Sequence, residues 1–174
     1  MKILVISDTH EMDDLFWRIT KTERPFDVVM HAGDVEGSAA YYRKASGVPT
    51  LFVKGNNDYE STEPVDRLIN IDGCRIFVTH GHTWHVERWE SSLWDLCDEA
   101  KRRGARVAIF GHTHHPIIMK RDGALLINPG SLAYNAFEEF PSYITFHIVN
   151  GEPNGCKIPF RETCAAFLMD QYRK

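Results

Sequence analysis

The sequence predicts an α/β fold made of two packed β-sheets flanked by helices. Its first half alternates short, β-branched apolar runs with stretches of helical spacing. Its second half trades that alternation for pairs of apolar runs joined by Asp-Gly or Asn-Gly turns. Helical patterns recur at two separate places along the chain. Strands that alternate with helices argue for a largely parallel sheet, whereas strands joined by tight turns pair antiparallel, so parallel and antiparallel strands are expected together in two mixed β-sheets.

In order, "KILVIS" opens as a buried strand, and "DLFWRITK" comes next with Leu15, Phe16 and Ile19 on one helical face. "FDVVM" is a second strand, "SAAYYRKA" a short helix and "TLFVK" a third strand. "RLINI-DG-CRIFVT" reads as a hairpin, because Asp-Gly supplies the positive φ angles of a tight primed turn. "ERWESSLWDLCDEAKRR" is the longest helix, with Trp89, Leu93, Leu96, Cys97 and Ala100 on its apolar side and Gly104 as its stop. "RVAIF", the hairpin "PIIMK-RDG-ALLIN" and a last pair, "YITFHIV" and "CKIPFR" around "NGEPNG", complete the series.

With 174 residues, no internal repeat and no linker, residues 1–174 are expected to form one domain. Hydrophobic residues make up 43 % and the formal net charge is −4, so no basic field draws the chain to extended nucleic acid or anionic membranes. The apolar stretch after Lys2 is too short for a signal-peptide core, and no run reaches a membrane span, which points to a cytoplasmic protein. Cys74, Cys97, Cys156 and Cys164 show no C-x-x-C spacing and are expected to be reduced thiols.

The residues just beyond each apolar strand carry the chemistry. "ILVIS" leads to Asp8 and His10, "VVMHAG" to Asp34, "LFVKG" to Asn56, "IFVT" to His80, and "VAIFG" to His112 and His114. Loops at the carboxyl edge of such strands converge on one crevice. Glycine precedes Asp34, Asn56 and His112, which lets neighbouring loops crowd without a Cβ between them. Two Asp, one Asn and four His exceed what one ion uses but suit a pair of ions sharing a carboxylate. The nitrogen and oxygen donors favour Mn²⁺, Fe²⁺, Co²⁺, Ni²⁺ or Zn²⁺ over Ca²⁺. Two such ions clamp the attacking and leaving oxygens of a displacement at phosphorus, so hydrolysis of a phosphate ester is expected.

"DTH" at 8–10, "GDVE" at 33–36, "GNND" at 55–58, "THGH" at 79–82 and "GHTH" at 111–114 resemble, in order and interval, the motif series of the calcineurin-like metallophosphoesterases. The small size and "NPGS" at 128–131 are similar to the compact YfcE-like phosphodiesterases. The resemblance implies a four-layer αββα sandwich, the metallo-dependent phosphatase fold. It implies Asp8, His10 and His114 on a first metal, Asn56, His80 and His112 on a second, and Asp34 bridging them. A hydroxide between two divalent ions, Mn²⁺ first among the candidates, would be the nucleophile. His115 has no role in that pattern.

Many members of the family carry His after the metal-binding Asn; this chain has Asn57. Asparagine can bond a phosphoryl oxygen but is no general acid, which leaves Asp58 and His82 as proton-donor candidates. A weak acid favours aryl or otherwise activated diesters. "LAYNAFEEF" after the "NPGS" motif lacks the basic residue expected to anchor phosphate. His31 reads as a hydrogen-bonded core residue, His147 as an exposed strand position, and "KRR" at 101–103 as a solvated helix end. Trp84 and Trp89 read as core contacts at a helix start.

These readings lead to a metal-dependent phosphodiesterase acting on a small phosphate ester, with homo-oligomerisation left open. A phosphomonoesterase or nucleotidase would use the same site. A protein-interaction scaffold, as in the retromer subunit of this fold, is the rival from another class; there the metal site is degraded, whereas here the ligand set is whole.

Overall fold

The computed structural model describes residues 1–37, 39–88, 91–133 and 141–158. The strands are β1 (Lys2–Ile6), β2 (Val28–His31), β3 (Thr50–Phe52), β4 (Asp66–Ile71), β5 (Cys74–Thr79), β6 (Val107–Ile109), β7 (Ile117–Arg121), β8 (Ala124–Asn128), β9 (Ile144–Val149) and β10 (Glu152–Lys157). The helices are α1 (Asp13–Thr22), α2 (Ala39–Ser46) and α3 (Ser91–Arg102).

Two five-stranded sheets form, in the orders β10-β9-β1-β2-β3 and β4-β5-β6-β8-β7. Both are mixed. β1, β2 and β3 run parallel, as do β5, β6 and β8, while β9, β10, β4 and β7 add antiparallel edges.

Alternation along each strand sorts side chains into three interlayer cores. Ile3 and Val5 of β1, Met30 of β2, Ile76 and Val78 of β5, Val107 and Ile109 of β6, and Leu125 and Ile127 of β8 fill the space between the sheets. Leu4 and Ile6 face the other way, onto Leu15, Phe16 and Ile19 of α1 and Tyr42 of α2. Phe77, Ala108 and Leu126 back onto Leu93, Leu96, Cys97 and Ala100 of α3. The result is the four-layer αββα sandwich, and its inner strands read as unbroken apolar runs because both of their faces are covered.

The Asp-Gly turns form as expected: Asp72 and Gly73 at φ 51° and 81°, and Asp122 and Gly123 at 48° and 82°, have the paired positive angles of a type I′ hairpin. Gly104 ends α3 at φ 73°. His147 lies exposed on β9. α3 begins later than the sequence suggests, since Val86–Arg88 form a separate 3₁₀ turn; Trp84 packs onto the α3 core, and Trp89 lies outside the described residues. The last hairpin also differs. Its turn is Asn150-Gly151 alone, and "EPNGCK" is itself the strand β10. Among the described residues β10 pairs only with β9, so Pro153 misses no inner partner there, and the ladder shifts register after Asn154, where Gly155 takes φ 61°. Cys74 and Cys97 are buried free thiols and Cys156 is half-buried; Cys164 lies outside the described residues.

Candidate metal centre

The parallel strands of both sheets end at one edge, and the loops beyond them meet there. Strain collects in these loops. Asp8, His10, Asp34, His112 and His114 all have left-handed backbone, with φ of 52°, 42°, 54°, 68° and 59°. Such angles are uncommon for residues with a Cβ and cluster where the surroundings over-determine the chain for function. Interloop bonds supply that constraint: Asp8 N–H donates to Gly33 O (2.9 Å), Thr9 N–H to Asp34 O (3.0 Å) and Gly111 N–H to His80 O (2.9 Å). Gly55 and Gly111 sit where a Cβ would collide with Asp34 and with Ser7 and Asp8, so glycine here serves close approach.

These loops gather most of the ligand types expected from the sequence. His114 Nε2 lies 3.1 Å from Asp8 Oδ1, and His10 Nε2 lies 3.4 Å from His114 Nε2. His80 Nε2 stands 3.4 Å from Asp34 Oδ2 and 3.0 Å from Asn56 Oδ1. Asp8, His10 and His114 form one compact group of potential ligand atoms, and Asp8, Asp34 and His80 another. His112 stands beside them, its ring centroid 5.2 Å from that of His80, with Nε2 at 3.6 Å from Glu87 Oε2.

Two histidines are aimed by the bond at their far nitrogen. His80 Nδ1 donates to Ala32 O (2.7 Å), which turns Nε2 into the cluster. His10 Nδ1 meets Glu36 Oε1 at 2.6 Å, with the same effect. Glu36 also forms a ligand-type group of its own with His10 and Asp34. The sequence reading missed Glu36 although "GDVE" contained it; a carboxylate two residues after Asp34 was the available signal.

Asp8 Oδ1 tests whether the residues suit a cation. It is buried, receives no hydrogen bond, and faces the imidazole nitrogens of His114 at 3.1 Å and of His10 and His80 at 4.0 Å each. A buried carboxylate oxygen without a donor is costly unless a cation compensates it. Oxygen and imidazole donors around that atom, with no sulfur, fit a divalent transition metal.

The electrostatics agree. Burial works to raise the Asp8 carboxyl, but neighbouring His114 and His80 hold it below its ordinary value. Burial opposes ionisation of Asp34 too, yet His80 and two bonds from Asn57 bring it down to about 2. Burial pulls His80 down and is outweighed by Asp34 and Asp8, so its value rises; the Asp8 contact raises His114. Burial, reinforced by the charge of His80, lowers His82 and His112. The cluster holds its carboxylates ionised and favours positive charge beside them.

The three proton-donor or phosphate-binding candidates occupy different environments. Asn57 donates through its backbone N–H to Asp34 Oδ1 (2.9 Å) and through Nδ2 to Asp34 Oδ2 (2.7 Å), so it steadies that carboxylate. Asp58 accepts four backbone N–H bonds: Oδ2 from Asp34 (2.8 Å) and Gly55 (2.9 Å), Oδ1 from Val35 (2.8 Å) and Glu36 (2.9 Å). His82 is half-buried at the rim, its ring 5.4 Å from that of His80, with Nδ1 lacking a partner.

Other residues brace the site. His31 is fully buried and stacked on Phe52; its Nδ1 accepts from Gly33 N–H (3.2 Å) and its Nε2 bonds Thr9 Oγ1 (3.1 Å). Burial pushes its imidazole down to about 4, so it is neutral at pH 7. In "NPGS", Asn128 Nδ2 donates to Gly111 O (2.8 Å) and Ser131 Oγ to Asp8 O (2.8 Å). These two residues hold the ligand loops. Most of "LAYNAFEEF" lies outside the described residues.

Two layers of sheet with a carboxylate–imidazole cluster at one edge define the class, and comparison with known proteins gives the family. Residues 1–151 match the calcineurin-like phosphoesterase superfamily domain, and the chain belongs to that family. It is 31 % identical over 151 residues to the probable metallophosphoesterase YsnB of Bacillus subtilis, covering 86 % of each chain. It is 29 % identical over 153 residues to phosphodiesterase MJ0936 of Methanocaldococcus jannaschii, covering 75 % of this chain and 83 % of the other. Among solved structures, a conserved predicted phosphoesterase of Streptococcus pneumoniae superposes with a TM-score of 0.77 at 22 % identity, over 92 % and 90 % of the two chains. Vps29 of Chaetomium thermophilum superposes with a TM-score of 0.72 at 21 % identity, over 91 % and 95 %. At those identities the two structures establish the shared fold alone. No helix among the described residues is long and apolar enough to cross a membrane.

Proposed function

We propose that this chain is a metal-dependent phosphodiesterase working through a two-metal centre at the shared edge of its sheets. The observation that carries the proposal is the buried, donor-free Asp8 Oδ1 among three imidazole nitrogens. Asp8, His10 and His114 would hold one ion, Asn56, His80 and His112 the other, and Asp34 would be shared. Mn²⁺ is the first metal to test, with Fe²⁺, Co²⁺, Ni²⁺ and Zn²⁺ compatible with the same donors. When bound, such ions supply Lewis acidity, acidifying water and offsetting the charge that builds on the phosphoryl oxygens.

The chain's own residues do the rest. Glu36 and Ala32 O keep the ring nitrogens of His10 and His80 turned inward. Asn57 fixes both oxygens of Asp34, so the shared carboxylate cannot rotate away. Asp58 is a loop brace in this reading, since its oxygens already accept from four backbone N–H donors. His82 is left as the titratable group beside the cluster, its ring 5.4 Å from that of His80, and would be the candidate to bond a phosphoryl or leaving oxygen. No strong acid stands there, which favours diesters with good leaving groups over monoesters, nucleotides included. The fold is shared with Vps29, so fold alone does not separate enzyme from scaffold; the ligand set favours the enzyme.

The test is hydrolysis of bis-p-nitrophenyl phosphate by metal-stripped protein with and without Mn²⁺. Turnover that needs metal and is lost in Asp34→Asn is expected. Turnover that is indifferent to metal, or none with Mn²⁺, Ni²⁺ or Zn²⁺, would sink the proposal.

A further inference from the structure

Beside the candidate centre a cleft of about 850 Å³ runs along the loop after β3, lined by Glu36, Asn57, Asp58, Tyr59, Glu63 and Arg43 among others. It starts at residues that touch the ligands themselves: Asn57 holds Asp34 and Glu36 meets His10. A cleft of that size takes a group as large as a nucleoside.

Tyr59 stands out on its wall. The ring is 81 % exposed, the most exposed large hydrophobic side chain among the described residues. Its backbone, by contrast, is pinned. Tyr59 N–H donates to Asn57 O (3.0 Å), and the Lys54 ammonium donates to Tyr59 O (3.2 Å) and Ser61 O (3.3 Å). Ser61 N–H closes the loop onto Asp58 O (3.1 Å). An aromatic ring held out on a fixed backbone loses little entropy when a flat ligand stacks on it.

The charges narrow the ligand. Arg43 is the one cation among the described residues that line the cleft, and it is engaged: its Nη2 lies 2.5 Å from Glu63 Oε1, and its guanidinium covers Phe52. Glu60 adds a further negative charge to the wall. A second phosphate would therefore meet carboxylates and no available cation.

We propose that this cleft binds the organic group of the substrate, and that the group is planar, aromatic and uncharged, stacked on Tyr59. This rests on the phosphoesterase reading above, and adds to it a substrate class: phosphodiesters of an aryl or nucleoside-like group without further phosphates.

The test titrates the Mn²⁺-loaded protein with phenylphosphonate and with methylphosphonate, which share a headgroup and differ in the ring. Wild-type protein and Tyr59→Phe are expected to bind phenylphosphonate about tenfold more tightly, the usual scale for stacking on an aromatic side chain. Tyr59→Ala is expected to lose that preference while its affinity for methylphosphonate is unchanged. Equal affinity in the wild type, a preference that survives in Tyr59→Ala, or no binding of either probe overturns the proposal. Hydrolysis of bis-p-nitrophenyl phosphate is measured on the same samples. A ring preference without turnover would overturn the phosphodiesterase reading and leave the cleft assignment standing; turnover without a ring preference would do the reverse.

Discussion

Replacing Asp58 with asparagine separates a loop brace from a proton donor. The carboxylate accepts from Asp34 and Gly55 through Oδ2 and from Val35 and Glu36 through Oδ1. Asparagine keeps one carbonyl oxygen for two of these donors and turns an NH₂ group toward the other two. Each buried N–H that loses its acceptor costs about 1–3 kcal/mol, so two cost about 2–6 kcal/mol before relaxation. With a domain of this size losing roughly 2–4 °C per kcal/mol, Asp58→Asn should melt about 6–12 °C lower when relaxation holds the cost near 3 kcal/mol. The disturbed N–H groups belong to the loop of Asp34, so Mn²⁺ affinity should fall as well. Circular dichroism melts of metal-free protein read the first effect, and calorimetric Mn²⁺ titration the second. A variant that melts within about 2 °C of wild type and binds Mn²⁺ normally, but turns over diesters slowly, would refute the brace and return Asp58 to the role of acid.

His31 should make stability depend on pH. Its folded value of about 4 lies below the unfolded 6.5, so the unfolded chain takes up the proton first. This contribution is whole above pH 6.5 and is lost as pH falls toward 4, amounting to about 2 kcal/mol by pH 5. Between pH 7 and 5 metal-free wild type should lose about 2 kcal/mol more in denaturant melts than His31→Phe, and equal losses would count against it. Gly111→Ala places a Cβ against Ser7 Oγ and 2.7 Å from Asp8 Oδ2, and should cost about 1–3 kcal/mol in a melt and displace Asp8 enough to weaken Mn²⁺ binding at least tenfold. Glu36→Gln removes the charge behind His10 and should weaken Mn²⁺ binding about 10–100-fold by calorimetry, with little change in melting temperature.

Short-range features were legible in the residue order. Apolar runs named the inner strands, Asp-Gly named two hairpins, and helical spacing placed Leu15, Phe16 and Ile19 against a sheet. The ligand types were legible because each comes within a few residues of the end of its strand. Long-range packing set the rest. It inserted β8 between β6 and β7, chose Asn150-Gly151 over the second Asn-Gly as the turn, and drew Glu36 onto His10. It also made Asp58 a brace for backbone N–H groups more than twenty residues away, and left Tyr59 exposed on a pinned loop. A residue's type and spacing record its propensity and its preferred face. Which groups satisfy a buried carboxylate is settled by chain segments distant in sequence, once packing has brought them within hydrogen-bond reach.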